Sequence, residues 1–307
     1  MVDRSHTRHR LATMIIHSAT ICDGNRSEHL GLTFHLDLLT GDSAFFPSQE
    51  MISPICSVPG ICKICGASAP LFGVVDFNKI CDKENPLRLP LSGIPIYYRR
   101  CVACGFIFSD MFDSWSHQDF TDNIYNAEYI KFDPDYANFR PRTNAETIIR
   151  MFRNTRAEIS CLDYGGGNGQ LAAHLRDAGF RKAETFDQFN PEYQSFPPGQ
   201  FNLVTCFEVF EHVTEPKHLV ESLVGIVEKG GLILFTTLLQ PANIEQSGVA
   251  WWYIGPRNGH LSIFSTKSLV LLFERLGFRF GSINDVLHVA FRDLPSFASN
   301  TLKIAPQ

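Results

Sequence analysis

The sequence predicts an α/β protein in which a doubly wound, mostly parallel sheet with an antiparallel last strand follows a small cysteine-containing module. Strand-like and helix-like segments alternate from about residue 145. One apolar run there leads into the glycine-rich turn "YGGGNG" of residues 164–169, and two C-x2-C pairs lie ahead of it. A chain of 307 residues is long enough for one α/β core and a smaller module.

Composition and charge restrict the partners that we expect. The net charge of -5 gives no reason to expect a nucleic acid or an anionic membrane. No apolar run approaches the ~18 residues of a membrane span. The apolar stretch "LATMII" that follows Arg10 is too short for a secretory signal. We therefore expect a cytoplasmic protein without nucleic-acid or membrane partners, and the sequence does not indicate its oligomeric state.

The chain is predicted to consist of five consecutive regions. The first is rich in His, Ser, Thr and Asp without sustained periodicity, which indicates a loosely ordered leader and leaves open a translation start at Met51. The regions are the leader (1–50), the cysteine module (51–115), a linker or cap (116–144), the main domain (145–293) and a tail (294–307).

Four cysteines in the module predict a structural zinc ribbon. Cys62 and Cys65 lie in "CKICG", and Cys101 and Cys104 lie in "CVACG". Two such pairs supply the four thiolates of a tetrahedral Zn²⁺ site, and the glycine after each pair permits a positive φ. A disulfide interpretation would need an oxidising compartment that nothing else in the chain indicates. Cys81, in the intervening loop, remains an alternative ligand.

The elements follow in a regular order. In the cap, a helix is expected after Thr143–Asn144, and the cap's tyrosines either reach over the main site or pack between domains. In the main domain the patterns predict strands, helices, and a hairpin through Asn284–Asp285. The predicted strands are 158–164, 182–189, 201–209 and 232–238, the predicted helices are 169–180, 215–231 (capped by Gly230–Gly231) and 265–278 (with Ser265 as N-cap), and the hairpin covers 278–291.

The glycine-rich turn can be interpreted in two frames. Gly167, Gly169 and Ala172 satisfy the dinucleotide pattern G-x-G-x-x-[GA], but this match is weak. In the frame D-x-G-x-G-x-G, the glycines admit the methionine part and ribose of S-adenosylmethionine against bare backbone. A carboxylate at the mouth of the turn would repel a pyrophosphate and attract an ammonium or sulfonium group. The residues of this second frame are Asp163, Gly165, Gly167 and Gly169.

The turn resembles motif I of class I S-adenosylmethionine-dependent methyltransferases. The segment "FNLVTCFEVFEHV" (201–213) is similar to the strand-four signature of the ubiquinone-biosynthesis type and of the type 12 and type 23 methyltransferase families. The likeness continues through "IVEKGGLILFTT" and "GHLSIFSTKSLVLLFERLGF", and covers about residues 145–291. The cysteine module resembles the zinc-binding front modules of some methyltransferases of small-molecule and sugar pathways. The resemblance implies a Rossmann-like fold, S-adenosylmethionine as cofactor, and a small-molecule or sugar-type acceptor.

The resemblance also implies a set of cofactor-binding residues. Asp187, after the second strand, is placed to accept hydrogen bonds from the ribose hydroxyls, although dinucleotide folds use the same arrangement. The segment "NPEYQSFPPGQ" must be a loop or an abbreviated third βα unit, so no adenine contact can be assigned there. The implied cofactor-binding residues are Asp163, Gly165, Gly167, Gly169 and Asp187, with Cys206, Phe207 and Glu208 lining the cleft through their backbone.

Two histidines are candidates for the catalytic base. Methyl transfer needs mainly alignment, but a hydroxyl or activated-carbon acceptor must also lose a proton, for which imidazole is suited. His212 lies where relatives keep a base or a substrate contact, and Glu211 could orient it, bind substrate, or bind a metal as in some relatives. His260 lies in "WWYIGPRNGHLSIFS" (251–265), whose aromatic residues are suited to stacking on a sugar or aromatic acceptor. The alternatives are that His212 only caps its loop and that residues 251–265 form a packing loop.

Three functional hypotheses follow from these residues. The first is a zinc-containing methyltransferase that acts on a small molecule, sugar derivative or glycan intermediate, with O- or C-methylation favoured. The second is an NAD(P)-dependent oxidoreductase, which Asp163 disfavours. The third is a methyltransferase-like binding protein without catalysis, which the shortened third unit permits and the Glu211–His212 pair opposes.

Overall fold

The computed structural model describes residues 59–81, 89–299 and 302, all of which fall in one compact unit, Ile55–Gln307. The leader and the question of Met51 lie outside the described residues. So do residues 51–58 and 82–88 of the cysteine module and half of the tail.

The cysteine module is built from five short strands, β1 (Gly60–Ile61), β2 (Ser68–Ala69), β3 (Leu71–Asp76), β4 (Pro95–Arg100) and β5 (Ile107–Phe108). The first two pair with each other, and the other three form an antiparallel sheet. A two-residue strand of the main domain, Ser262–Ile263, pairs with β5 and extends this sheet to four strands. The module and the main domain therefore share one sheet.

The cap contains the helices α1 (His117–Asn123), α2 (Tyr129–Phe132) and α3 (Phe139–Met151). Ser116 caps α1, because its side chain accepts from the backbone N–H of Asp119. The prediction that α3 begins after Asn144 was wrong, since the helix begins at Phe139. Pro141 lies in the first turn of this helix, where a proline is tolerated because its missing N–H would have no partner anyway.

The main domain continues with β6 (Ser160–Tyr164), α4 (Gln170–Asp177), β7 (Lys182–Phe186), β8 (Phe201–Cys206), α5 (Pro216–Ile226), β9 (Val227–Thr236), α6 (Ile244–Ser247), β10 (Ser262–Ile263), α7 (Thr266–Glu274), β11 (Arg279–Ser282) and β12 (Leu287–Phe291). The main sheet has the order β11-β12-β9-β8-β6-β7. Strands β7, β6, β8 and β9 are parallel, whereas β12 runs antiparallel to β9. The predicted fold class is confirmed.

Helices cover both faces of the main sheet. Successive residues of β6 and β9 point to opposite faces, so that Leu162 and Ile233 pack with α5 and α7, and Cys161 and Leu232 pack with α3 and α4. All of these strand residues are fully buried. Near-continuous apolar strands are therefore a consequence of burial on both faces.

Two connections in the main domain bear on the predicted elements, the one between α5 and β9 and the one between β7 and β8. The predicted glycine cap of α5 was wrong, because α5 ends at Ile226 and Gly230–Gly231 lie inside β9. Val227 already pairs with Phe201, so the chain enters the sheet directly after the helix. Residues 187–200 form a loop between β7 and β8, which is one of the two alternatives for the third unit.

Among the described residues, no helix is both long and apolar enough to cross a membrane.

Candidate active site

A cavity of about 660 Å³ lies at the carboxyl ends of β6, β7 and β8. This is the edge at which doubly wound sheets bind their ligands. Its walls are the glycine-rich turn, the loop after β7, the segment after β8, and the cap. Tyr125, Tyr129 and Tyr136 line the cavity, which confirms that tyrosines of the cap reach over the main site.

The glycines of the turn allow close approach of the backbone. A Cβ at Gly165 would lie 2.4 Å from Val209 Cγ2, and one at Gly166 would lie 2.3 Å from Asp163 Oδ2. Gly167, at φ 58°, differs because a Cβ there would meet no atom within 4 Å, and this residue lines the cavity. Gly169 begins α4 and packs against Tyr193 instead of lining the main cavity. The open space at Gly167 is where a ligand can contact bare backbone.

Asp163 lies beneath the turn and not at its mouth. Only 3% of it is exposed, and its Oδ1 accepts a hydrogen bond of 2.8 Å from the Thr205 hydroxyl. Burial raises the pKa of Asp163 to about 7. Because the carboxyl is then partly neutral at neutral pH, it repels a pyrophosphate less than its position in the sequence suggests.

Asp187 organises the turn as well as facing the cavity. Its Oδ2 accepts from the Gly167 N–H at 2.8 Å, and its Oδ1 accepts from Phe189 at 2.7 Å and Asn190 at 3.0 Å. Asn190 in turn donates to the Gly167 carbonyl at 2.8 Å. A carboxylate offers about four acceptor positions, so the three backbone donors leave capacity for a ligand hydroxyl.

At the end of β8 and in the segment after it, Cys206, Phe207 and Glu208 differ in whether they face the cavity. Cys206 is fully buried and does not line the cavity, whereas Phe207 and Glu208 do. Glu208 has φ 55° and is the only non-glycine residue with a positive φ in the described part of the chain. Its N–H donates to the Thr236 hydroxyl at 2.8 Å, and that hydroxyl donates to Glu208 Oε1 at 3.0 Å.

Of the three candidate catalytic residues, only His212 lines the cavity. Its Nδ1 lies 3.1 Å from the Gly259 carbonyl, so this nitrogen is the donor and Nε2 is the free acceptor. Burial lowers the pKa of His212. The imidazole is therefore neutral, and able to accept a proton, at physiological pH.

Glu211 and His260 lie behind His212. Glu211 is fully buried, and its Oε1 accepts a bond of 2.8 Å from the Tyr253 hydroxyl instead of orienting His212. Burial raises the pKa of Glu211. The Nδ1 of His260 lies 2.8 Å from the Tyr253 carbonyl, and burial lowers the pKa of this imidazole well below its usual value. Ligand atoms of the two histidines and Glu211 lie within 4.8 Å of one another, so this cluster could hold a cation.

The loop 251–265 does not form the stacking surface that its composition suggested. None of its residues lines the main cavity, and Tyr253, Arg257 and Asn258 are buried. The Arg257 guanidinium lies 4.0 Å from the centroid of the Phe132 ring. These side chains support the cap from behind, which is the packing alternative.

Phe189 and Arg140 are among the cavity residues that the sequence interpretation missed. Phe189 stacks on His117 at a centroid distance of 4.3 Å, which brings α1 against the loop after β7. Arg140 lies on α3, outside every motif. Its position in the sequence, before a proline and two residues from Arg142, gave no signal.

The four cysteines of the two C-x2-C pairs lie close together in the module. Their Sγ atoms lie 3.4 Å apart for Cys65 and Cys101, 3.6 Å for Cys62 and Cys104, and 3.7 Å for Cys65 and Cys104. A disulfide requires about 2.05 Å, whereas tetrahedral Zn–S bonds of about 2.3 Å place sulfur atoms about 3.8 Å apart. The donor set fits Zn²⁺. Cys81 lies elsewhere, with its Sγ 3.3 Å from His260 Nδ1, and is not part of this group.

Comparisons with known proteins identify the domain that carries the cavity. Residues 136–282 match the family described as methyltransferase domain. A ubiquinone biosynthesis O-methyltransferase of Thiobacillus denitrificans is 28% identical, over 38% of this chain and 64% of the relative. One from Klebsiella pneumoniae is 30% identical, over 31% of this chain and 37% of the relative. The chain thus covers less than two thirds of the length of either relative.

Two solved structures are also similar. An O-methyltransferase family protein from Burkholderia thailandensis has 17% identity and a TM-score of 0.37, over 53% of this chain and 58% of that one. Human N-acetylserotonin methyltransferase in complex with S-adenosylmethionine has 18% identity and a TM-score of 0.37, over 49% and 52%. The family match falls on the segment that the motif resemblance covers, so residues 136–282 are a methyltransferase domain of the class I, S-adenosylmethionine-dependent type.

Proposed function

We propose that the protein transfers the methyl group of S-adenosylmethionine to a hydroxyl group of a small-molecule acceptor. The observation that carries this proposal is the open space at Gly167, directly beside the Asp187 carboxylate and in the same cavity as His212. The cavity is lined by five carboxyl groups and one arginine, a charge distribution that favours a sulfonium cation. The carboxyl groups are Asp133, Asp163, Asp187, Glu208 and Glu215.

The cofactor is proposed to lie along the turn, with its ribose hydroxyls on Asp187. Gly165 and Gly167 admit it against the backbone, and Phe207 and Glu208 form the adjoining wall. When bound, it supplies an electrophilic methyl group on sulfur. Asp163 lies below the turn, so close to Gly166 that a Cβ at that position would meet its carboxyl group.

The acceptor is proposed to occupy the part of the cavity between the cap and His212. Tyr125 meets the His212 ring edge-on at 6.0 Å, and its own ring lies 5.4 Å from that of Tyr129. Aromatic walls with a polar edge suit a planar or sugar-type ring that carries hydroxyl groups. The relatives are named O-methyltransferases of ubiquinone biosynthesis, which supports a small-molecule hydroxyl over a carbon acceptor.

His212 is proposed as the general base. The acceptor O–H donates to His212 Nε2, the imidazole takes the proton, and the freed oxygen bonds to the methyl carbon while the carbon–sulfur bond breaks. The Gly259 carbonyl holds Nδ1–H and stabilises the imidazolium that forms. The tyrosines exclude water and align the acceptor, which supplies much of the rate in a displacement of this kind.

Zn²⁺ is proposed to have a structural role in the cysteine module. Cys62, Cys65, Cys101 and Cys104 would hold it, and these four ligands leave no open coordination position for a substrate. Cys62, Cys101 and Cys104 are buried in the same hydrophobic cluster as Phe106 and Phe108, so the ion would hold the two C-x2-C turns together within that core.

Calorimetry with S-adenosylmethionine, S-adenosylhomocysteine and NAD tests the proposal. We expect both sulfur nucleosides to bind and NAD not to bind, and Asp187→Ala to weaken binding by about 1–3 kcal/mol because the ribose loses a charged acceptor. Glu192→Ala is the matched control, since Glu192 is an exposed acid of the same loop. Tight NAD binding without a response to the sulfur nucleosides would support the oxidoreductase. Binding without turnover across an acceptor panel with labelled methyl donor would support the non-catalytic alternative.

A further inference from the structure

The imidazole of His212 is enclosed by groups from two distant parts of the chain. The Gly259 carbonyl lies 3.1 Å from its Nδ1. The Tyr125 ring meets it edge-on at a centroid distance of 6.0 Å and an angle of 75°, and the His260 ring does so at 5.0 Å and 73°. Tyr125 belongs to the cap, whereas Gly259 and His260 belong to the loop 251–265. The imidazole is therefore held between the cap and this loop.

Gly259 leaves the space in which two of these groups meet. It has φ 84°, a conformation that favours glycine. A Cβ at this position would lie 2.7 Å from Tyr125 Oη and 3.0 Å from His212 Nδ1. The tyrosine hydroxyl and the imidazole thus lie side by side over the Cα atom of Gly259. A larger residue there would displace at least the tyrosine.

Tyr125 is itself held in place by its neighbours. Its backbone N–H donates to the Phe120 carbonyl at 2.9 Å. Its ring lies 5.4 Å from that of Tyr129 and 5.0 Å from that of Phe189, at angles of 66° and 58°. Aromatic rings at such separations and angles attract one another. The tyrosine that contacts His212 is therefore fixed from the opposite side by the cap and by the loop after β7.

The Tyr125 hydroxyl stays protonated at neutral pH. Burial raises the pKa of Tyr125 above its ordinary value, and the carboxyl groups of Glu211 and Asp187 raise it further. The hydroxyl therefore cannot take a proton from an acceptor in place of His212. What Tyr125 contributes to this part of the site is its contact with the imidazole.

We propose that Tyr125 is a positioning residue that, together with Gly259, fixes the His212 imidazole in the orientation that directs Nε2 into the cavity. A histidine ring can turn about its Cβ–Cγ bond, and a half turn would put a carbon atom in the place of each nitrogen. Tyr125 and His260 oppose that turn from two sides. The Gly259 carbonyl then selects the tautomer with its proton on Nδ1. The inference rests on the proposed function, in which Nε2 takes the proton of the acceptor.

Long-range ¹H–¹⁵N NMR spectra of the protein labelled with ¹⁵N-histidine measure the tautomer of His212 at a pH at which the ring is neutral. The signals of His212 are assigned by their loss in His212→Ala. In the wild type the Nδ1–H tautomer should exceed the Nε2–H tautomer roughly tenfold, as for one hydrogen bond to a fixed partner. In Tyr125→Ala the ring can turn away from Gly259, so the ratio should fall to about one. Tyr125→Phe, which keeps the ring but loses the oxygen over Gly259, should show an intermediate ratio.

Two glycine variants keep the test decisive should Tyr125→Ala impair folding. Gly259→Ala places a Cβ within the contact between Tyr125 and His212, so it should lower the tautomer ratio as Tyr125→Ala does. Gly277→Ala is the matched control, because Gly277 has φ 74°, has no atom within 4 Å of an added Cβ, and does not line the main cavity. It introduces a similar backbone strain and should keep the wild-type ratio.

The positioning role and the proposed function fail in different ways. If S-adenosylhomocysteine binds in calorimetry and the tautomer ratio is unchanged in the Tyr125 variants and in Gly259→Ala, the positioning role is refuted and the proposed function stands. A wild type in which the Nε2–H tautomer predominates refutes the positioning role as well. If S-adenosylhomocysteine does not bind the wild type, the proposed function itself is refuted, and the role of Tyr125 in it with it.

Discussion

Gly167→Ala separates the cost of backbone strain from the loss of ligand space. Gly167 has φ 58°, a conformation that costs a non-glycine residue about 1–2 kcal/mol. No atom lies within 4 Å of the added Cβ, so the fold meets no steric conflict. The free energy of unfolding should fall by that amount, which lowers Tm by about 2–8 °C in thermal unfolding.

Ligand binding should fall by more than strain alone explains. The new methyl group would occupy the space in which the cofactor is proposed to contact bare backbone. We expect the affinity for S-adenosylhomocysteine to fall at least tenfold, or about 1.4 kcal/mol, in calorimetry. The Gly167 N–H still donates to Asp187, so the turn itself should persist.

Gly93→Ala provides the matched control. Gly93 has φ 76° and, like Gly167, has no atom within 4 Å of an added Cβ, but it does not line the main cavity. It should lose similar stability and keep full affinity. If Gly167→Ala binds S-adenosylhomocysteine as tightly as Gly93→Ala does, the ligand does not approach this glycine and the proposed binding mode is wrong.

Three other predictions concern the base, the metal and acid stability. His212→Ala should lower turnover by roughly 10²–10⁴-fold with little change in cofactor affinity. Because burial lowers the pKa of His212, the wild-type rate should decline only below about pH 6.5. If His212→Ala keeps full turnover and His260→Ala loses it, His260 and not His212 is the base. Elemental analysis should find one Zn²⁺ per chain in the wild type and in Cys81→Ser but none in Cys65→Ser. Cys65 is exposed, so its substitution changes metal binding without changing the packing of the core. Burial lowers the pKa of His288 to about 4, so the unfolded chain takes up a proton at a higher pH than the folded chain does. The free energy of unfolding should therefore fall by about 3 kcal/mol between pH 6.5 and pH 4. His288→Gln should flatten that dependence in denaturant titrations.

The sequence was sufficient for the elements whose pattern reflects burial. The strands at Ser160–Tyr164 and Phe201–Cys206 are buried at every residue except Tyr164 and Asn202, because both faces of the sheet are covered. The N-cap at Ser265 was also predictable, since the hydroxyl accepts from the Ser268 N–H within one turn of chain. Local chemistry of this kind can be recognised without knowing the fold.

The errors arose where distant contacts decide the outcome. Asp163 precedes the glycine turn in the sequence, at its apparent mouth, yet Thr205 of the neighbouring strand binds it beneath that turn. Tyr253 and His260 belong to a segment whose composition suggested a substrate loop, but both are buried, Tyr253 against Glu211 and His260 against Cys81 of the cysteine module. Nothing local in the sequence indicates these contacts. Arg140 became a cavity residue only because side chains of the glycine turn hold the start of α3.

The cysteine module is connected more directly to the side of the cavity that contains His212 than to the glycine-rich turn. Lys63, which lies between Cys62 and Cys65, donates to the Thr214 carbonyl at 2.9 Å, and Thr214 lines the cavity. Ser265, the N-cap of α7, donates to the Cys104 carbonyl at 2.6 Å. Between them, Ser262 of β10 pairs with β5 and donates to the Val213 carbonyl at 2.7 Å.

The bonds of Lys63 and Ser262 reach Thr214 and Val213, which directly follow His212 in the chain, and neither reaches the turn at residues 164–169. Loss of the metal should therefore disturb the base and the acceptor space before it disturbs cofactor binding. In Cys65→Ser we expect turnover to fall by a larger factor than the affinity for S-adenosylhomocysteine, measured on the same preparation by labelled methyl transfer and calorimetry. The control is Cys81→Ser, which keeps the four metal ligands. Equal losses of turnover and affinity in Cys65→Ser would instead mean that the module supports the whole domain without a preferred route to His212.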